Sequence, residues 1–252
     1  NLWHGSPHKF DRFDFNKIGT GEGAQAYGHG LYFAESPGVA RQYRDQLSDP
    51  YIAQKKLEKA GGNIDQTITD AQEWIKKYRE GGADSYADAV EDELRMLENF
   101  KNTGEWDNGA IYNVEADINL DQLLDWDAPL SQQPEAVRQA LDNLPSEAVS
   151  PVYQRRGLSF LDIFEGRDPT GAVLYRTLAT EQRSDLAASA LLGSNNISGI
   201  RYLDGSSRSA GEGTSNYVAF DDANLNILSR NGQPLSNTVR AVRASDRAAD
   251  GS

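Results

Sequence analysis

YGHGLYFAESPGVARQY, residues Tyr27–Tyr43, is the stretch around which the rest of the chain can be arranged. It opens with Gly28-His29-Gly30, a tight entry. GLYFA then reads as a short strand, with aromatic and branched residues that suit a pleated surface. Pro37 precedes a helix predicted over Gly38–Gln46. That helix brings Tyr43 back toward Tyr32, eleven residues earlier, so both rings can face one slot. Two glycines and two tyrosines in this order, with His4-Gly5-Ser6 near the chain start, suggest a pocket for a flat cationic ring. Aromatic faces attract such a ring by roughly 0.5–2 kcal/mol each.

Working outward, LWHGSP at residues 2–7 reads as a strand that enters a turn at Pro7. Phe10, Phe13 and Phe15 follow as apolar anchors. GTGEGAQAYGHG is a glycine-rich loop, but no GK[ST] follows it, which argues against a phosphate-binding P-loop. Beyond Tyr43 the character changes. Residues 45–105 carry fourteen acidic against eight basic side chains. Thr69–Gln72 resembles a capping box. Ile68, Ala71, Ile75 and Tyr78, then Tyr86, Val90, Leu94 and Leu97, recur at helical spacing. This block reads as a helical insert of two or three helices packed on a β core.

Alternation returns at Ala110–Asp117. Leu120–Trp126 reads as a short helix or turn, and Pro134 as a first helical position before Val137, Leu141 and Leu144. A helix is expected from about Glu181 to Leu192, ending at Gly193. ISGIRYLDG, NYVAFD and LNIL read as strands, separated by the loop SSRSAGEGTS. Residues 231–252 lack periodicity and read as a disordered tail. Strand-rich segments on both sides of a helical block predict an α+β fold with an antiparallel or mixed sheet, over residues 1–230 as one domain.

Composition narrows the function. The net charge of −13 argues against a general nucleic-acid binder and against an anionic membrane surface. The absence of cysteine excludes disulfides and thiolate metal sites. No apolar run approaches the ~18–20 residues of a membrane span. His8 and His29 have no clustered partners, so no metal site is expected. The chain begins at Asn1 and runs at once into strand-like sequence, as a domain of something longer would.

Three segments carry the chemistry: Leu2-Trp3-His4-Gly5-Ser6; Gly28–Ala34 with Tyr43; and Ser215-Asn216-Tyr217-Val218-Ala219-Phe220-Asp221. Their order and character resemble the ADP-ribosyltransferase superfamily, in the branch of poly-ADP-ribose polymerases and diphtheria-type toxins. The resemblance spans His4 to about Leu228, with large inserts, and looks nearest to phage-derived and bacterial effector-type domains. It implies a split antiparallel or mixed sheet and NAD as substrate. The activity implied is transfer of ADP-ribose to a protein side chain with release of nicotinamide, without a metal. Bacterial relatives modify Ser or Thr hydroxyls, ubiquitin among their targets, so a hydroxyl on a protein acceptor is the implied class. The implied site of action is a cytosol, reached by secretion or injection into a target cell.

The chemistry of NAD gives these residues roles. Losing nicotinamide produces an oxocarbenium-like ribose, as in glycoside hydrolysis. Tyr32 and Tyr43 would stack on nicotinamide, and Gly5 would leave its backbone N–H and C=O open to the amide. Ser6 offers a hydroxyl beside it, and His4, by resemblance, bonds the adenine-side ribose. Two departures matter. Asn216 stands where many members have a glutamate; it can hydrogen-bond a ribose hydroxyl but cannot act as a base, which disfavours polymer synthesis. Glu212 could supply a carboxylate if its loop folds inward. Ala40 stands where relatives often have a serine. Two other functions fit the same pocket: NAD glycohydrolysis, and a module that binds NAD or ADP-ribose without turnover.

Overall fold

The computed structural model describes residues 1–15, 18, 25–47, 50–208 and 213–235. Its strands are β1 (Leu2–Ser6), β2 (Leu31–Ala34), β3 (Ala110–Ala116), β4 (Leu123–Asp125), β5 (Gly199–Leu203), β6 (Ser215–Ala219), β7 (Leu225–Arg230) and β8 (Gln233–Pro234). They form one sheet in the order β4-β5-β6-β2-β1-β3-β7-β8. Neighbours are antiparallel except β4 and β5. The chain is therefore a mixed α/β protein with a mixed sheet, compatible with an α+β class.

The three chemistry-bearing segments are neighbouring strands, in the order β6-β2-β1. One line of register crosses them: Trp3 pairs with Ala34, Ala34 with Asn216, and Asn216 with Tyr202. Because side chains alternate along a strand, this register sorts the residues onto two faces. One face carries Phe33, Tyr112, Val114, Tyr217 and Ile227, covered by Phe10, Phe13 and Phe15. The other carries Leu124, Ile200, Tyr202 and Val218 under the helical layer.

That layer includes α1 (Pro37–Leu47), which lies over β1. Pro37 opens α1, as its fixed φ and missing N–H allow. The helices α2 (Tyr51–Lys59), α3 (Ile64–Glu80) and α4 (Asp84–Thr103) form the insert. They share a small core of their own, centred on Ile68, Ala71, Val90, Met96 and Leu97. The cap of α3 is Asn63, whose Oδ1 accepts from Gln66 N at 3.1 Å. Thr69–Gln72 lies inside the helix, so the capping-box reading is corrected: an asparagine six residues earlier does that work. Tyr86, expected on the apolar face, is exposed.

Later elements are α5 (Glu135–Asp142), α6 (Pro151–Gln154), α7 (Gly171–Gln182), α8 (Asp185–Ser194) and α9 (Gly205–Arg208). The helix expected over Glu181–Leu192 is two elements. Arg183 adopts a left-handed conformation at φ 57° and ends α7, and Ser184 Oγ accepts from Ala187 N to cap α8. Leu120–Trp126 is a 3₁₀ turn followed by the edge strand β4. Pro134 caps α5 from one position outside it. The chain after Arg230 continues the sheet: β8 pairs with β7, and the Asn231 Oδ1 accepts from Ile111 N at 2.8 Å. Residues 236–252 lie outside the described part. Among the described residues, no helix is long and apolar enough to cross a membrane.

Candidate functional site

The register line passes through a polar side chain. Asn216 is 3 % exposed, and its Oδ1 has no hydrogen-bond partner. Burying such an acceptor unpaired costs roughly 1–3 kcal/mol. Alternation puts its side chain on the face of Tyr202 and Tyr32. Tyr202 is its register partner, and Tyr32 lies diagonally adjacent through the Tyr32–Val218 pair.

Tyr43 reaches the same place from α1. Its phenol stands near that of Tyr202 and helps to raise the Tyr202 pKa. Burial pushes the Tyr202 and Tyr32 phenols well above their ordinary range, and neighbouring phenols add to the shift. Tyr43 itself is 42 % exposed and forms the open side of the cluster. Tyr32 is tied to the glycine-rich entry: its hydroxyl donates to Gly28 O at 2.7 Å and accepts from Tyr27 N at 3.1 Å. Gly28 has φ 107°, and a Cβ there would lie 2.7 Å from the Tyr175 ring. Both facts require glycine.

The first strand supplies an edge. Both polar groups of the Ile111 backbone bond Asn231. Gly5, opposite Ile111, is therefore a non-hydrogen-bonded partner on that side and turns its N–H and C=O toward β2. There the register stops at Trp3–Ala34. The Tyr32 carbonyl, which a continued ladder would offer to Gly5, accepts from His4 Nδ1 at 2.8 Å. The space over the Gly5 Cα belongs to α1: a Cβ would sit 2.0 Å from Ala40 O and 2.9 Å from Arg44 N. Glycine is thus needed at position 5 for helix packing, and only the strand edge is left to a ligand. Ala40 is part of that contact.

The predicted residues divide between the two faces. Tyr32, Tyr43 and Asn216 come together on one, with the Gly5 edge beside them. The His4 ring lies on the other, with ring centroids 5.2 Å from Phe13, 5.7 Å from Phe33 and 6.0 Å from Tyr112. Burial lowers its pKa more than the bond to Tyr32 raises it. With Nδ1–H donating, Nε2 is the acceptor left to a ligand hydroxyl. Ser6 shares the His4 face by alternation, and its Oγ accepts from His8 N. Glu212 lies outside the described residues.

Two residues of this site have no role assigned from the sequence. Tyr202 is the hub of the tyrosine cluster. Tyr27 lies flat on it, with ring centroids 3.8 Å apart and planes 10° apart. Arg208 holds Tyr27 there: Nη1 donates to the hydroxyl at 2.7 Å, and the guanidinium stands 5.1 Å from the ring centroid. Only the aromatic position in each loop or strand could have marked them. Next to Tyr202 opens a hollow of about 260 Å³, lined by Asp125, Asp127, Arg201 and Leu203 among others. Its carboxylates brace local backbone: Asp125 Oδ1 accepts from Asp127 N and Ala128 N, and Asp127 Oδ2 from Leu203 N. The tyrosine cluster with Asn216, not this hollow, holds a buried polar atom without a partner; Asn113 Oδ1 and Ser198 Oγ are others elsewhere in the fold. Among the described residues, no group of three His, Asp or Glu is placed to hold a metal ion.

The fold and site define a mixed α/β protein in which Tyr32, Tyr43, Tyr202 and Asn216 mark the expected slot beside the Gly5 strand edge. The chain matches no family model, no curated protein and no solved structure.

Proposed function

We propose that this slot binds NAD and that the chain transfers ADP-ribose from it to a protein side chain, releasing nicotinamide. The observation that carries the reading is the buried, unpartnered Oδ1 of Asn216 beside Tyr32, Tyr202 and Tyr43. An acceptor left unpaired in a tyrosine cluster suits a ligand hydroxyl, such as one on the nicotinamide ribose. The phenol rings suit the cationic nicotinamide, and the β2-facing N–H and C=O of Gly5 suit its carboxamide. The adenine-side ribose would go to His4 Nε2. The acceptor class, a Ser or Thr hydroxyl on a protein such as ubiquitin, follows from the family resemblance alone.

With Asn216 in place of an acid, the chain stabilises the oxocarbenium-like state by position and dipole rather than by proton transfer. That same substitution favours a second reading, a module that holds NAD without turnover. Labelled NAD and a cell lysate separate the cases. Label on a protein band supports transfer. Nicotinamide release without a band means hydrolysis with water as acceptor. Binding without release means the module, and no binding at all removes the NAD reading.

A further inference from the structure

Glu35 follows directly on β2 and belongs to none of the sequence motifs' roles. Its carboxylate holds both neighbours of Asn216. Oε2 accepts from Ser215 N at 2.9 Å, and Oε1 accepts from the Tyr217 hydroxyl. Its own N–H donates to Ser215 O at 3.1 Å. The network continues outward, for Arg201 Nε donates to Ser215 Oγ at 3.1 Å. Ser215 and Tyr217 are buried; Glu35 is exposed.

Alternation from Ala34, together with the contact to Tyr217, turns the Glu35 carboxylate to the face opposite the Asn216 side chain. It therefore does not enter the slot. It can act there only by fixing the strand segment on which Asn216 rides. An exposed carboxylate that brackets one buried residue, through a backbone N–H before it and a hydroxyl after it, restricts two of that strand's freedoms at once. Charge-assisted bonds of this kind are about twice as strong as neutral ones.

We propose that Glu35 is the positioning residue for Asn216: it sets where the unpartnered Oδ1 stands in the slot. The activity part of the test rests on the NAD reading above; the spectroscopic part does not.

The spectroscopic part follows the side-chain amide of Asn216 by ¹⁵N NMR, assigned by its loss in Asn216→Asp. The signal is expected to shift in Glu35→Gln and in Tyr217→Phe, which removes only the hydroxyl arm. It is expected to stay in place in Glu115→Gln, an exposed carboxylate on β3 that bonds Asn226 Nδ2. An unmoved signal in Glu35→Gln overturns the proposal. The activity part measures nicotinamide release from NAD. Glu35→Gln should lower kcat by about 10–100-fold with a smaller change in KM, the range a misplaced group gives. In an Asn216→Ala background the same change should have no further effect. Equal losses in both backgrounds mean that Glu35 does not act through Asn216, and overturn the proposal. If wild-type protein neither binds NAD nor releases nicotinamide, the NAD reading fails, and the NMR result still decides the role of Glu35.

Discussion

His4 Nδ1 lies 2.8 Å from the carbonyl oxygen of Tyr32, at the point where the β1–β2 ladder stops. The imidazole belongs to one face of the sheet and the Tyr32 ring to the other. One hydrogen bond therefore joins the two halves of the candidate site through the backbone, and it parts the strands where Gly5 turns its polar groups toward β2.

His4 makes stability depend on pH with a definite sign, set by its burial against the opposing pull of this bond. Burial lowers the His4 pKa from its ordinary 6.5. Below that value the unfolded chain takes up a proton at His4 before the folded one does. The contribution is complete above 6.5 and falls as pH drops through it. His29 is lowered too and acts in the same direction, but it is common to wild type and His4 variants. His4→Asn keeps a donor near the Nδ1 position and does not titrate. The stability advantage of wild type over His4→Asn, from urea midpoints, should shrink between about pH 7.5 and 5.5. An advantage that grows on acidification contradicts the account.

Gly5→Ala should be severely destabilising. Its Cβ would meet two backbone atoms of α1, which cannot swing aside as a side chain can. The expected loss is about 3 kcal/mol, read as a lowered thermal midpoint. Gly205→Ala is the control, since nothing lies within 4 Å of a Cβ there. Equal midpoints for the two variants would mean that α1 does not rest on Gly5.

Asn216→Leu separates stability from binding. It removes an unsatisfied buried acceptor and keeps the branched shape of the side chain. Folding should be unchanged or strengthened by about 1 kcal/mol, while NAD binding by calorimetry should vanish. A variant that unfolds readily, or one that binds NAD as wild type does, contradicts the assignment of an orphaned ligand-facing amide.

The two wall tyrosines should respond differently. Tyr32→Phe strips partners from Gly28 O and Tyr27 N and should cost about 1–3 kcal/mol of stability. Tyr43 is largely open to solvent, so Tyr43→Ala should change stability by no more than about 0.5 kcal/mol. Its NAD affinity should drop roughly tenfold through loss of one stacking face. Chemical denaturation and titration of the same two variants test this directly.

Much of this architecture is readable in the chain. Alternation in LWHGS, GLYFA, AIYNVEA and SNYVA marks the strands, because each buries one or both faces. The helical insert is marked by Ile68, Ala71, Val90 and Leu97. The order of strands is not readable: nothing local says that residue 34 pairs with residue 216. The packing reason for Gly5 depends on a helix thirty-five residues away, and the role of Glu35 on strand neighbours some 180 positions on. The break between α7 and α8 was hidden because Arg183 takes a left-handed conformation that its side chain does not advertise. The separation of His4 from Tyr32 was equally hidden: motif spacing counts residues, and the face of a strand is decided by pairing register.

Tyr27 already lies on Tyr202, pinned by Arg208. On the NAD reading, the Tyr202 face therefore has an internal competitor for a flat ligand ring. A ring that stacked on Tyr202 would meet its intrinsic affinity only in the fraction of molecules whose Tyr202 face is bare, and its dissociation constant would be weakened by that fraction. Under that reading Arg208 would tune occupancy without touching the ligand: loosening its grip on Tyr27 would raise apparent affinity, and tightening it would lower it.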